Sequence, residues 1–368
     1  MATTDLVVAG GLVTYQGSGF PTLDGTIIET FNNDDIMPEH KQYMSIMDYT
    51  DTPLLNPSQT FTTKSAPTSM GNVLETGIPE NADMVFTPKK GIYQVEVARK
   101  YSRSHLFTKW ARQAKTLQGA PDAIQAELLD VAAETRDLAL AYDSRYAEEL
   151  VKLLTKGFSV TTAAGPGSAT PKGKALFDTH PYGVTGSSIS GTFTNFTNGA
   201  FTFDPNNSTD LTNGTTRLQT LINQLKAVRD ENGKYIKQIG PYKLYVSRIR
   251  EVFWKSVLNN GSKFSGQGTN AMRENQFLFD GNIVEIVVLD LLGQPDYQGV
   301  NIGTTDYIFV TNSGALKQAK AIKTYRLYPL TIESWVNMDT KVLTTDARAA
   351  IGCDHYGAEK FIAGSTCA

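Results

Sequence analysis

The sequence predicts an α+β protein that combines one unusually long helix with many short strands. The first observation is an uninterrupted helical pattern over residues 121–156. The second is a mixed pattern of helices and strands after residue 210, followed by β-like segments to the C-terminus. The third is the segment before residue 106, whose many polar and turn-forming residues predict little packed structure of its own.

Composition and charge exclude several classes of protein. The chain has 368 residues, 40% of them hydrophobic and 19% charged, which predicts two globular domains or one elaborated domain. The net charge of −3 does not favour nucleic acid or an anionic membrane as the main partner. Cys353 and Cys367 form no C-x-x-C motif, so neither a disulfide framework nor a zinc site is expected. The apolar run Leu6–Val13 is too short to span a bilayer.

The N-terminal part of the chain lacks the apolar residues that a core needs. Residues 1–50 are rich in Asn, Asp, Pro and Thr, which predicts an irregular arm that lies on some other surface. Residues 61–105 read as two extended stretches around a Gly/Pro-rich middle, and the imperfect alternation begins at Ile92. Such a hairpin is not stable alone, so another chain or domain must support it.

The strongest helical signal begins at Pro121 and ends before Gly157. At 1.5 Å per residue, 36 residues extend roughly 54 Å. A coiled coil is disfavoured because no heptad is sustained, and a helix that crosses a sheet as a spine fits better. One apolar stripe runs along it: Ile124, Leu128, Val131, Leu138, Tyr142, Tyr146, Leu150 and Leu153.

Gly, Ser, Thr and Asn dominate residues 157–210. The stretch GPGSATPKGKA resembles a phosphate-binding loop, but its glycine spacing is too long and Ala175 replaces the magnesium-binding Ser or Thr. Nucleotide hydrolysis is therefore not expected. Four N-x-S/T sequons begin at Asn195, Asn206, Asn207 and Asn213, and predict a polar, turn-rich surface.

The pattern from residue 210 predicts alternating helices and strands. Leu218, Leu221, Ile222, Leu225 and Val228 lie on one face of a helix that is predicted to end at Gly233. YKLYVS predicts a strand, and its last residue, Ser247, is a plausible N-cap for the next helix. NIVEIVVLD, DYIFVT and the segments after Tyr325 predict further strands.

Candidate catalytic and metal-binding residues do not form a site. Asp178 and His180 in KALFDTHPYG suggest an acid–base pair, but no third group or oxyanion donor accompanies them, so a turn is the preferred interpretation. The histidines His40, His105, His180 and His355 are scattered, and no G-x-S-x-G motif occurs. We therefore predict a protein that is not an enzyme and has no catalytic, cofactor-binding or metal-binding residues.

The order of these parts resembles the major capsid protein of tailed bacteriophages, the Hong Kong 97 fold. The sharpest local similarity is KALFDTHPYG, which is similar to the L-F-x-x-x-H-P turn after the spine helix in Mu-like major head subunits. The stretch from RLQTLINQLKAVRDENGKYI to YKLYVS is similar to the helix, turn and strand that follow in that family. The resemblance covers nearly the whole chain.

The resemblance implies five segments. These are an N-terminal arm (1–51), an extended β-hairpin loop (52–108), a peripheral domain with spine helix 121–156 (109–190), an axial domain (191–314) and the return strands of the peripheral domain (315–368). It also implies self-assembly into hexamers and pentamers that form an icosahedral shell around double-stranded DNA, held without sequence specificity. The expected location is the virion, after synthesis in the host cytoplasm, with no cofactor and no membrane.

The remaining expectations concern contacts between subunits. Lys89 and Lys90 at the predicted hairpin tip, together with Arg99, are the candidate inter-subunit contacts. A portal protein is an expected partner, and a decoration protein is left open. No helical segment of roughly 100 residues precedes the arm, so a separate scaffolding protein, or none, is expected. An encapsulin-like nanocompartment shell remains the alternative, while a tail or adhesin protein and a hydrolase using Asp178 and His180 are disfavoured.

Overall fold

The computed structural model describes part of the chain. The described residues are 3–8, 11–16, 48–53, 61–64, 92–95, 99–107, 133, 137, 145, 147–158, 174–182, 190–200, 202–230, 233–261, 276–279, 281–293, 306–336, 343–355 and 357–367.

The described residues contain sixteen strands and three α-helices for which both ends are assigned. The strands are β1 (Thr3–Val8), β2 (Gly11–Gln16), β3 (Asp48–Pro53), β4 (Phe61–Lys64), β5 (Ile92–Val95), β6 (Arg99–Phe107), β7 (Thr179–Pro181), β8 (Thr192–Thr194), β9 (Phe196–Asn198), β10 (Tyr242–Ser247), β11 (Gln276–Phe279), β12 (Asn282–Leu289), β13 (Tyr307–Asn312), β14 (Ile322–Val336), β15 (Leu343–His355) and β16 (Ile362–Thr366). The helices are α1 (Ser208–Ala227), α2 (Glu251–Gly261) and α3 (Ser313–Gln318). This mixture of helices and largely antiparallel strands confirms the α+β class.

The first sheet is built from both ends of the chain. Its strand order is β1-β2-β14-β15-β6, and β3 also pairs with β14. The long strands β14 and β15 form an antiparallel ribbon, and β6 continues it on the far side of β15. Strands β2 and β3 both run parallel to β14, at residues 330–333 and 323–326 respectively.

The N-terminal residues are more regular than the sequence predicted. The expectation of an irregular arm is wrong for Thr3–Val8 and Gly11–Gln16, which form a β-hairpin and join the first sheet through β2. The apolar run that begins at Leu6 explains this result, because alternate side chains of a strand can face a sheet even where overall apolar content is low. The partner strand, β14, lies roughly 300 residues later in the sequence, so a local pattern cannot reveal that the two strands pair.

The second sheet has the order β11-β12-β10-β13-β16-β9. Helices α1 and α2 cover one face, where Trp254 is fully buried among the apolar residues of β10, β12 and β13. The five apolar residues predicted for one face of α1 are all buried, which confirms that prediction. The helix itself ends at Ala227 and Val228 is its C-cap, so the predicted end at Gly233 is wrong.

The reason for this earlier helix end lies in the next turn. The buried carboxylate of Asp230 accepts a hydrogen bond from the backbone N–H of Lys234, and Gly233 adopts a left-handed φ of 78°. These contacts stabilise a tight reversal that takes the backbone out of the helix. Ser247 lies at the predicted N-cap position, but of a short 3-10 turn (Arg248–Arg250) before α2, and its side chain makes no capping hydrogen bond.

The long helix is described only in its C-terminal part and at three earlier positions. Residues 133, 137, 145 and 147–155 are helical, and a 3-10 turn (Lys156–Phe158) follows, so the predicted end near Gly157 is confirmed. Leu150 and Leu153 are buried as the stripe predicts, but so are Glu149 and Lys152. A single apolar stripe is therefore wrong for this last part of the helix, which is covered on all sides by tertiary packing.

The end of the long helix packs on the second face of the second sheet. The ring of Phe177 stacks on Phe158 and Phe309, with centroid distances of 4.5 and 5.4 Å. Gly364 on β16 permits this approach, because a Cβ atom there would lie 2.8 Å from the Phe177 ring. The pairing of β16 with β13 and β9 also places part of the predicted return segment (315–368) in the sheet of the predicted axial segment (191–314). The domain division itself stays a prediction.

Candidate assembly site

Residues 54–98, called the excursion below, connect two strands of the first sheet, β3 and β6. The strand residues on either side of this segment belong to one row of paired residues across the sheet. Pro53, the last residue of β3, pairs with Arg326 on β14, and Arg326 pairs with Ile351 on β15. Ile351 in turn pairs with Arg99, the first residue of β6. Three strand spacings of about 4.8 Å separate Pro53 from Arg99, so the ends of the 54–98 excursion are about 14 Å apart.

The excursion contains a hairpin with no other described strand beside it. Strands β4 and β5 pair antiparallel from Phe61 with Val95 to Lys64 with Ile92, which confirms the predicted hairpin for these residues. The predicted hairpin is wrong for residues 99–105, which lie in β6 and pair with β15. Each strand has four residues, and the pair forms a separate two-stranded sheet. An isolated two-stranded hairpin is marginally stable in water, so this one needs an additional surface.

Of the three predicted contact residues, Arg99 lies in the described part of the chain. Arg99 begins β6, which has β15 as its one described neighbour and forms an edge of the first sheet. An exposed edge offers backbone hydrogen-bonding groups to another chain, and charged residues on it restrict that pairing. Lys89 and Lys90 lie outside the described residues, so their part in contacts between subunits stays a prediction.

The KALFDTHPYG stretch is a structural junction. Asp178 accepts a hydrogen bond from the N–H of Thr179 and pairs with the Lys174 amine at 3.6 Å. The fully buried His180 lies in β7, and its Nε2 is 3.1 Å from the carbonyl oxygen of Leu176. The prediction of a turn therefore holds for the bend at residues 176–178 but is wrong for His180, which belongs to a strand that pairs with β8.

Asn195 is the residue of this junction that the sequence reasoning misassigned. It was expected on a polar surface because it begins a sequon, yet it is fully buried, whereas Asn206, Asn207 and Asn213 are exposed as expected. Its Oδ1 accepts a hydrogen bond from the N–H of Asp178 at 3.0 Å. The β-like run GTFTNFTN, which contains Asn195, is the sequence signal for its burial, because it places Asn195 between two strands.

The amide of Asn195 joins two distant parts of the chain. Its Nδ2 lies 2.8 Å from the carbonyl oxygen of Leu176, 3.1 Å from that of Ile362 and 3.2 Å from that of Glu359. Its backbone carbonyl also accepts a hydrogen bond from the N–H of Gly364. The bend after the long helix is thus held to the C-terminal strand β16.

Within the described residues, no group of three or more His, Cys, Asp or Glu side chains could hold a metal ion. Burial raises the pKa of Cys367 from 9.0 to about 11, while a hydrogen bond with Ser365 and the charge of Arg217 act in the opposite direction. A thiol with a raised pKa is a poor nucleophile at neutral pH, so Cys367 serves packing. None of the helices described is long and apolar enough to cross a membrane.

Comparison with known proteins gives matches to solved structures alone. No family model and no curated protein matches the chain. The mature capsid of bacteriophage PhiM1 is 12% identical with a TM-score of 0.46, over 88% of this chain and 83% of that chain. The capsid of cyanophage P-SCSP1u is 11% identical with a TM-score of 0.46, over 88% of each chain. The head of Helicobacter pylori bacteriophage KHP40 is 7% identical with a TM-score of 0.45, over 89% of this chain and 90% of that chain.

These matches are capsid and head structures of phages, the class that the sequence also resembles. Because the TM-scores are below 0.5 and the identities are low, we argue the function from the chain's own residues. The specific similarity to Mu-like head subunits stays a prediction.

Proposed function

We propose that the chain is the major capsid subunit of a tailed bacteriophage. In this proposal it self-assembles into hexamers and pentamers, which close into an icosahedral shell around double-stranded DNA. The subunit is made in the host cytoplasm and becomes part of the virion, with a portal protein at one position of the shell. Scaffolding and decoration proteins are further candidate partners. The subunit has no catalytic role.

The observation that carries the proposal is the excursion of residues 54–98. It leaves the first sheet at Pro53, returns about 14 Å away at Arg99, and carries a hairpin of four-residue strands. The two ends of this segment pair in one row of the first sheet, and its hairpin, which has no other described strand beside it, needs an additional surface. A neighbouring copy supplies such a surface in a shell, where each weak contact is repeated many times.

The resemblance seen in KALFDTHPYG supports the same function through the junction that this stretch forms. The bend at residues 176–178 fixes the end of the long helix against the second sheet, through Phe177 and Asn195. A shell subunit needs a rigid body of this kind, because contacts on opposite sides of it must keep a constant angle for the shell to close.

Electron microscopy of the purified protein tests the proposal. Negative-stain images are expected to show closed shells or ring-shaped capsomers as the protein concentration rises. A protease-resistant monomer at every concentration and salt condition would refute the function. A nanocompartment differs in its cargo, so shells from the producing host should yield double-stranded DNA and not a packaged enzyme.

A deletion isolates the role of the excursion. Removing residues 66–90 leaves Ser65 and Gly91 as a two-residue turn between Lys64 and Ile92, which already face each other across the hairpin. The variant should keep the circular dichroism of the wild type and form no shells. Normal shells from this variant would contradict the role assigned to the excursion.

A further inference from the structure

The tripeptide Thr-Asn-Gly occurs twice in the described part of the chain, at residues 197–199 and 212–214. Asparagine is a chemically labile residue, and a glycine after it leaves the next backbone nitrogen without a side chain to shield it. Because the two tripeptides are identical, their intrinsic reactivity is similar. A large difference in reactivity between them therefore has to come from the fold.

The first tripeptide lies at an open end of the second sheet. Asn198 is exposed and is the last residue of β9, the strand at one end of the strand order of this sheet. Gly199 is also exposed, belongs to no helix or strand, and has a φ of 143°, which residues with a side chain rarely adopt. Local opening of the backbone costs little free energy at the end of an edge strand.

The second tripeptide is held in the helix α1. Asn213 is exposed like Asn198, but Gly214 is buried against α2, where a Cβ atom on it would lie 2.8 Å from Cγ2 of Val257. The N–H of Gly214 lies within the helix, so it donates to the carbonyl four residues earlier. Rotation of this backbone would break helical hydrogen bonds and disturb the packing of α1 on α2.

We propose that Asn198 is a site of spontaneous covalent modification, which converts its side-chain amide into a carboxylate through a cyclic imide with Gly199. The backbone nitrogen of Gly199 attacks Cγ of Asn198, and a new C–N bond closes the ring. The C–N bond of the side-chain amide breaks, and ammonia leaves with the proton that the Gly199 nitrogen loses. Water then opens the ring at either carbonyl, which yields aspartate or isoaspartate and adds a negative charge.

Arg217 on α1 restrains this reaction. Its Nη2 donates to the carbonyl of Gly199 at 3.0 Å, and its Nη1 donates to Oγ of Ser365 on β16 at 3.0 Å. The guanidinium therefore ties the backbone next to the reacting nitrogen to the neighbouring strand. Arg217 acts as a positioning residue that slows the modification. Once formed, the carboxylate lies on an edge strand, where a charge hinders pairing with another chain.

Ageing of the purified protein at mildly alkaline pH tests the proposal. Chymotrypsin cleaves after aromatic residues, so Phe203 allows the two asparagines to be recovered in separate peptides. Mass spectrometry then measures the conversion of each amide to the acid. In the folded protein, Asn198 should convert at least about tenfold faster than Asn213, because the helix must open before Asn213 can react. Equal rates in the folded protein would overturn the inference.

The same measurement in urea removes the contribution of the fold. Both asparagines should then convert at rates within about twofold of each other, because unfolding releases the backbone at both sites. A preference for Asn198 that persists unchanged in urea would overturn the structural explanation. Asn198→Gln lengthens the side chain by one methylene group, which disfavours ring closure, so the fast conversion should disappear from its peptide.

Arg217→Ala tests the restraint separately. Loss of one hydrogen bond should speed conversion of Asn198 by about two- to tenfold and leave Asn213 unchanged. Acceleration at both sites would indicate a general loosening of the fold and would overturn the role of Arg217. Shells are not required for any of these measurements, so failure of this inference would leave the proposed shell function standing.

Discussion

Asn195 provides the sharpest test of the packing described for this chain. The change is Asn195→Ala, which removes a fully buried amide between the bend at residues 176–178 and the strand β16. The Asp178 N–H loses its acceptor, and the carbonyl groups of Glu359 and Ile362 lose a donor. The carbonyl oxygen of Leu176 keeps its contact with Nε2 of His180, so losing the Asn195 amide costs less stability at this group.

The expected cost follows from these atoms. A lost hydrogen bond costs about 1 kcal/mol, and a buried polar group left without a partner costs about 1–3 kcal/mol. With one N–H and two carbonyl groups affected, each at the lower end of this range or above, the free energy of unfolding should fall by at least about 3 kcal/mol. Domains of ordinary stability have about 5–15 kcal/mol in total, so a large fraction of the stability is at stake.

Asn195→Asp distinguishes hydrogen bonding from the loss of volume. This variant keeps the shape of the side chain but presents a carboxylate oxygen to carbonyl oxygens, which favours the protonated acid and raises the pKa of the new carboxyl group in the folded state. The native state then binds more protons than the unfolded state. The stability of this variant should therefore rise as the pH falls from 7 towards 5, opposite to the usual effect of acid.

Urea denaturation of the unassembled subunit, followed by circular dichroism, measures these effects. Asn206→Ala is the matched control, because Asn206 is exposed on the loop before α1, and its effect should stay within about 0.5 kcal/mol. If Asn195→Ala unfolds at the same urea concentration as this control, the junction does not stabilise the fold as described. A pH-independent Asn195→Asp variant would show that the amide does not face the three carbonyl groups.

Three further predictions concern the core, the pH dependence and the shell. Leu150→Ala should destabilise the subunit by about 2–5 kcal/mol because Leu150 is fully buried, whereas the exposed Ala133→Ser should change the urea midpoint little. The raised pKa of Cys367 disfavours the thiolate in the folded state. As the pH rises from 9.0 to about 11, the free energy of unfolding should therefore fall by about 2–3 kcal/mol more for the wild type than for Cys367→Ala. Equal denaturation curves across this range would contradict the raised pKa. Lys89→Glu with Lys90→Glu should lower shell yield at low salt without changing the circular dichroism, and normal yields in micrographs would assign both lysines to the solvated surface.

The sequence by itself determined the elements whose signal is local. The apolar face of α1, the strand YKLYVS and the hairpin from Phe61 to Val95 follow from side-chain periodicity within a few residues. It also favoured a turn over a catalytic site at Asp178 and His180, because the necessary third group was missing from the pattern.

Only the tertiary structure decided where these elements meet. The pairing of β2 with β14, and of β16 with β13 and β9, joins residues that are distant in the sequence, and no local periodicity specifies a strand's partner. Local sequence also failed to predict the burial of Asn195, because its sequon predicted exposure. The carbonyl groups that its side chain contacts belong to Glu359 and Ile362, which are distant in the sequence. The close spacing of Pro53 and Arg99 likewise arises from pairing across four strands of the first sheet. The 45 residues between them could extend over roughly 150 Å, so the sequence alone does not predict that the two residues lie close together.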